Sequence, residues 1–197
     1  MAVAPERKYQ ELGGPSVRQI ARLLRDAISD AADRRTAQQH LFDALVFNVA
    51  MLGTDAHAKN YSVMLDQERV TLAPLYDLAS HAAYPAVSGE PLTSAMSMDD
   101  VYRLDAIGER QFLSVARSLS IESDRAIDRV REITRGVSAA YAEAAARGQR
   151  ICAAIVRRCR HECSSTWLGL VAAQCVSRWR PPGAVCCHTP RRGARNR

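Results

Sequence analysis

Apolar residues recur at three- and four-residue intervals near the start of the chain. Val17, Ile20, Leu23, Leu24, Ala27 and Ile28 fall on one face of a helix, so one side is expected to be buried. Gly13-Gly14-Pro15 just before them is a turn signal, and Ser16 with Gln19 makes an S-x-x-Q capping box. Thr36 with Gln39 repeats the box, and Leu41, Leu45, Val46, Val49 and Leu52 form the next stripe. Phe42 and Phe47 widen that stripe, which predicts a second helix buried on most sides and ended by Gly53.

The period then changes. Residues 61–65 (YSVML) and 69–72 (RVTL) flank the polar turn Asp66-Gln67-Glu68, a small β-hairpin that Pro74 terminates. From Tyr76 to Ser97 there is no period, and Pro85, Gly89 and Pro91 predict a long functional loop. Two more amphipathic helices are expected, over about 109–119 and 122–147. In the second, Ala126, Val130, Ile133, Val137, Ala140 and Tyr141 share a face. Asp99-Asp100 and Glu122 read as helix-start charges, favoured at the positive end of the helix dipole. The fold expected is mainly α-helical with one small hairpin.

Charge alters this picture at one place. Residues 1–146 carry 16 Lys+Arg against 20 Asp+Glu, a net of −4, whereas 147–197 carry 11 Arg against Glu162 alone, a net of +10. All six cysteines and both tryptophans also fall in that last quarter. The shift divides the chain into a domain over 1–148, long enough for one core, and a tail over 149–197. In the tail, Cys159-x-x-x-Cys163 with Cys186-Cys187-His188 lacks the paired spacing of a zinc knuckle. Its arginines would attract nucleic acid, but no recognition motif accompanies them. Arg, Cys, Trp and Pro appear together as acidic residues vanish, which fits an out-of-frame reading of a GC-rich gene better. Disorder is expected there, apart from a short helix near 151–160. His40, His81 and His161 have no ligand spacing.

The most apolar late segment, 167–176, has ten residues where about 20 would be needed to cross a bilayer. The start, MAVAPERKYQE, lacks an apolar stretch followed by a cleavage site. A cytoplasmic protein with no membrane partner is therefore expected.

The chemistry is concentrated in Gly53-Thr54-Asp55-Ala56-His57-Ala58-Lys59-Asn60, the hairpin, and Leu75-Tyr76-Asp77-Leu78. Phosphoryl transfer needs a carboxylate near the attacking hydroxyl and oxygen ligands that hold Mg²⁺ on the phosphates. Kinases supply these from a loop with D-x-x-x-x-N spacing and from a second Asp just after a hairpin. Asp55 and Asn60 have that spacing, and Asp77 follows the second strand. Asp55 would orient the hydroxyl and accept its proton. The carboxylate of Asp77 and the amide oxygen of Asn60 suit an octahedral Mg²⁺. Lys59 would neutralise charge on the phosphoryl group or stand as a solvated surface charge. His57 would pack beside the phosphates or brace the loop, and Tyr76 reads as a packing residue near the nucleotide. A metal-dependent hydrolase built on Asp55, His57, Asp77 and His81 is a competing reading, one that leaves Asn60 and the hairpin without a role.

The run TDAHAKNYSVML, then LAPLYDLAS, with KYQELGGPS upstream, resembles the catalytic region of HipA-like serine/threonine kinases over roughly residues 6–147. The resemblance implies the C-terminal lobe of a protein-kinase-like fold. By it, Asp55 matches the catalytic aspartate, His57, Lys59 and Asn60 match an HxKN nucleotide and metal segment, and Tyr76 and Asp77 match the second metal-binding site. It further implies ATP and Mg²⁺ as cofactors, a protein serine or threonine as substrate, and a HipB-like antitoxin that binds DNA as partner.

The departures are equally specific. The only lysines are Lys8 and Lys59, and no G-x-G-x-x-G occurs. The small nucleotide-gripping N-terminal lobe is therefore expected to be absent, and the chain to be a fragment, a split subunit or a pseudogene product. Catalysis would then need a separate N-terminal lobe. The alternative is a non-catalytic regulatory or antitoxin-binding fragment of a kinase lobe.

Overall fold

The computed structural model describes residues 7–67, 69–81 and 91–147. Four helices form its body: α1 (Val17–Ala27), α2 (Ala31–Ala50), α3 (Glu109–Ser118) and α4 (Ser123–Ala146). Two antiparallel hairpins are inserted between α2 and α3. They are β1 (Val63–Asp66) with β2 (Arg69–Leu72), and β3 (Thr93–Met98) with β4 (Val101–Arg103). The mainly helical architecture read from the sequence is what the chain adopts, with a second hairpin added.

Helix α1 starts where expected. Ser16 accepts a hydrogen bond from the Gln19 N–H, and the Gln19 side chain accepts one from the Ser16 N–H, so two otherwise orphaned donors are satisfied. Helix α2 starts five residues before Thr36. Its cap is Asp30, whose Oδ1 accepts from the N–H groups of Ala32 and Asp33 at 2.8 Å each. Thr36 is mid-helix, its hydroxyl turned back onto the Ala32 carbonyl. An aspartate satisfying two donors at once, followed by two alanines, outcompetes the weaker Thr36–Gln39 pattern. As the stripe predicts, α2 is the central element. Leu41, Phe42, Leu45, Val46 and Val49 are buried, and so are Gln38 and Asn48 on flanking faces.

The other helices pack around α2. The rings of Phe42 and Phe112 meet edge to face at 6.5 Å and join α2 to α3. Arg129 on α4 forks onto Asp43 on α2 at 3.0 and 2.7 Å, while Gln39 donates to the same carboxylate. Ala126 and Val130 are fully buried, Val137 is only half-buried and Ala140 is exposed, so the burial of α4 thins beyond Thr134, although Tyr141 still packs against the core. Glu122 starts α4 as expected, accepting from the Asp124 and Arg125 N–H groups.

The expectation of one irregular segment over 76–97 fails at its end, where residues 93–98 form β3. Asp99 and Asp100 are not helix-start charges; they have φ 51° and 62° and make the tight turn into β4. Ala95, Met96, Ser97 and Met98 are all buried, so the strand is covered on both faces and shows no alternation. Asp99 then ties the turn to the helices, accepting from Arg18 of α1 and Ser114 of α3. The expected tail boundary and its cysteines lie outside the described residues.

Candidate active site

The chain reaches the candidate loop from the C-terminus of α2. Gly53 was expected to end that helix. Instead, the helix stops at Ala50, and Leu52 takes the left-handed conformation at φ 58°. Gly53 is favoured for a different reason: a Cβ there would stand 3.0 Å from Asn48 Oδ1 and 3.2 Å from the Asn48 carbonyl, so Asn48 would have to shift to admit it. Asn48 also donates to the Tyr61 hydroxyl at 3.1 Å, so one buried amide braces both ends of the loop. Burial pushes the Tyr61 phenol up to about 12.

Between these braces the backbone folds on itself. The His57 N–H donates to the Asp55 carbonyl, the Asn60 N–H to the His57 carbonyl, and residues Ala58–Asn60 form a single 3-10 turn. His57 and Asn60 are thereby buried, whereas Asp55 and Lys59 stay exposed. The hairpin then returns the chain. Its register pairs Val63 with Leu72 and Asp66 with Arg69, and Arg69 forks onto Asp33 of α2 with two bonds of 2.6 Å. That anchor fixes where the segment after β2 emerges.

This segment carries Tyr76 and Asp77. The Tyr76 hydroxyl donates to the Lys59 carbonyl, and the Ser62 hydroxyl lies 2.7 Å from it with its own proton free to donate. Tyr76 is 43% exposed, so it acts as a polar tie and not as the packing residue expected. Asp77 has φ 55°, a strained conformation for a residue with a Cβ. Its Oδ2 accepts from Asn60 Nδ2 at 2.9 Å. Further along, the Ser80 hydroxyl donates to the Met51 carbonyl at 2.5 Å and the His81 N–H to the Leu52 carbonyl, which ties the segment to the end of α2.

Asn60, Tyr76 and Asp77 are therefore brought together with the Lys59 backbone. Asp55 does not join that pair of side chains directly. Its Oδ1 accepts from the Tyr9 hydroxyl at 2.6 Å, its Oδ2 lies 3.6 Å from Lys8 Nζ, and the Tyr9 ring stands edge-on to His57 at 5.6 Å. Lys8 and Tyr9 were not assigned a site role from the sequence, although they open the KYQELGGPS run. The Lys59 ammonium extends from an exposed position.

Two buried atoms of the loop lack a hydrogen-bond partner, His57 Nδ1 and Asn60 Oδ1. An amide oxygen with no donor, on a side chain whose nitrogen holds a carboxylate, is the donor set a hard cation takes. The residues present thus fit Mg²⁺. Among the described residues, no three His, Cys, Asp or Glu side chains are grouped to hold a metal, which removes the basis for the Asp55–His57–Asp77–His81 hydrolase.

A helical lobe with a polar loop, a hairpin and a strained aspartate in this order is the C-terminal lobe of a protein-kinase-like fold. More particularly, the chain belongs to the family of HipA-like C-terminal domains, whose model matches residues 1–167. It is 35% identical over 116 residues to Y4mE of Sinorhizobium fredii (strain NBRC 101917 / NGR234), a protein named provisionally as a kinase. That match covers 59% of this chain and 27% of the relative. The fold also matches a chain of the solved Shewanella oneidensis MR-1 complex of HipA, HipB and operator DNA, with a TM-score of 0.54 at 20% identity. Here 88% of this chain aligns with 40% of that one. The chain thus spans between about a quarter and two fifths of the length of these relatives. No described helix is long and apolar enough to cross a membrane.

Proposed function

We propose that the chain is the catalytic-lobe portion of a cytoplasmic, HipA-type protein serine/threonine kinase that uses Mg²⁺-ATP. The observation that carries this reading is the Asn60–Asp77 pair, 2.9 Å apart, with the Asn60 amide oxygen left without a donor. Asn60 and Asp77 would hold Mg²⁺, which when bound neutralises charge on the phosphates. Asp55, exposed at the loop surface, orients the acceptor hydroxyl and takes its proton. Lys59 offers a positive charge to the transferred group, and His57 packs behind the loop against Tyr9. Tyr76 holds the Asp77 segment to the Lys59 backbone and presents an exposed ring to the nucleotide side.

An N-terminal lobe would complete the nucleotide site, whether carried on the same polypeptide or supplied by another. Membership in the family also makes a HipB-like, DNA-binding antitoxin a candidate partner. The test is a titration of the chain with Mg²⁺-ATP while its thermal unfolding is followed. A rise in Tm that Asp77→Ala abolishes supports the reading. No rise at millimolar nucleotide, with the chain folded, would leave a regulatory or antitoxin-binding lobe instead.

A further inference from the structure

The loop that carries Asp55 is neither helix nor strand at that residue, and the Asp55 side chain is 51% exposed. Nothing in its own backbone fixes the carboxylate's orientation. The fixing groups come from a segment 46 residues earlier. Tyr9 donates to Oδ1 at 2.6 Å and Lys8 faces Oδ2 at 3.6 Å, so each oxygen has a partner and each retains a lone pair for another donor.

Tyr9 is itself held firmly. Its carbonyl accepts from the N–H groups of Leu12 and Gly14 at 3.1 and 2.8 Å. Gly13 takes φ 85°, and a Cβ on Gly14 would lie 2.7 Å from both the Arg7 and Tyr9 carbonyl oxygens. Its ring rests edge-on against the buried His57. Lys8 sits 4.8 Å from the centre of that ring, and Tyr9 first, then the Asp55 carboxylate, holds its ammonium above the ordinary lysine value. An exposed ion pair of this kind adds little stability. What it does fix is direction.

We infer that Lys8 and Tyr9 are positioning residues, a two-point clamp that sets the Asp55 carboxylate for an incoming hydroxyl. The inference rests on the phosphoryl-transfer reading above. Tyr9→Phe removes one oxygen and keeps the ring on His57, so the fold is preserved, and Lys8→Met removes the second point independently.

The test measures three-bond couplings about χ1 of Asp55 in the full chain with labelled aspartate, together with steady-state phosphoryl transfer. One staggered rotamer is expected in the parent protein and averaged couplings in Tyr9→Phe. A kcat about tenfold lower at unchanged KM for Mg²⁺-ATP is expected alongside, the signature of lost orientation. Lys8→Met should produce a smaller change of the same kind. Unaltered Asp55 couplings in both variants would overturn the clamp, whatever the activity. So would an increased kcat in Tyr9→Phe, because Tyr9 would then be blocking Asp55. A parent chain that transfers no phosphoryl group yet shows the coupling change retains the clamp and counts against the kinase reading alone.

Discussion

Asn60 and Asp77 are seventeen residues apart in sequence, and the Asn60 amide nitrogen donates to Asp77 twice, to Oδ2 at 2.9 Å and to the backbone carbonyl at 3.4 Å. Both bonds use the only end of the Asn60 side chain able to donate, and the buried Oδ1 has no donor to accept from. Replacing the amide by a second carboxylate isolates what the pair is built for. In Asn60→Asp two anions meet at hydrogen-bond distance, and stability at pH 7 should fall by roughly 1–2 kcal/mol after screening at the exposed Asp77. Millimolar Mg²⁺ should restore the loss, because a divalent cation between two carboxylates reverses the sign of their interaction. Thermal melts with and without Mg²⁺ check this, and a loss that Mg²⁺ leaves untouched would speak against a cation site.

Three glycines should respond to alanine in three different ways. At Gly14 the added Cβ meets two backbone oxygens at 2.7 Å, and backbone cannot swing aside as a long side chain can. Gly14→Ala should cost about 2–3 kcal/mol and release Tyr9 from Asp55. Gly13 has open space around it but φ 85°, so alanine there costs about 1 kcal/mol of strain. Gly136 lies inside α4 with nothing within 4 Å, and alanine should stabilise by about 0.5–1 kcal/mol. Urea unfolding of the three variants reads the order directly, and its sign change at Gly136 is the sharpest part.

The sequence announced what is encoded by local period or by a run of adjacent residues. The α1 capping box, the buried stripe of α2, the first hairpin and the spacing of Asp55, Asn60 and Asp77 are all of this kind. The second hairpin was hidden because Ser94, Ala95, Met96, Ser97 and Met98 are poor strand formers, and burial on both faces removes alternation. Asp99 and Asp100 mislead in the same way, since an acidic pair before a helix looks like a helix start. The partnership of Tyr9 with Asp55 is a tertiary fact: nothing local to either residue signals a contact across 46 positions. Only the glycine pair, which forces the early segment to turn, left a trace.

Low pH should loosen the ties that hold the hairpins to the helices. The Arg69 hydrogen bond beside Asp33 holds that carboxyl below its ordinary value, and the Ser114 hydroxyl, then Arg110 and Arg18, do the same for Asp99. A carboxyl depressed in the folded state binds its proton more readily when unfolded. Its contribution is therefore present above the ordinary carboxylate value, near pH 4, and is lost as pH falls through the lower folded value. Asp33→Asn and Asp99→Asn should each be less stable than the parent at pH 7 and lose less on acidification. Denaturant midpoints at pH 7, 4 and 3 test this. Parallel acid limbs in parent and variants would remove these two carboxyls from the account.

High pH should act through the brace at the other end of the loop. Tyr61 is pushed up to about 12 by burial, against about 10 in an unfolded chain, and the Asn48 amide donating to its oxygen only partly offsets that. The sign follows from the raised value. Stability from the neutral phenol is complete below pH 10 and declines as pH rises toward 12, by at most about 2–3 kcal/mol. Tyr61→Phe keeps the ring but has no proton to lose, so its unfolding free energy should fall less steeply between pH 10 and 11.5 than the parent's. The same variant leaves the Asn48 amide nitrogen without its acceptor while Asn48 Oδ1 still lies against Gly53. A cost near 1 kcal/mol at pH 7 is therefore expected, with amide protons of residues 53–60 exchanging faster. If exchange in that loop is unchanged, the Asn48–Tyr61 bond is a core contact only and does not hold the segment that presents Asp55.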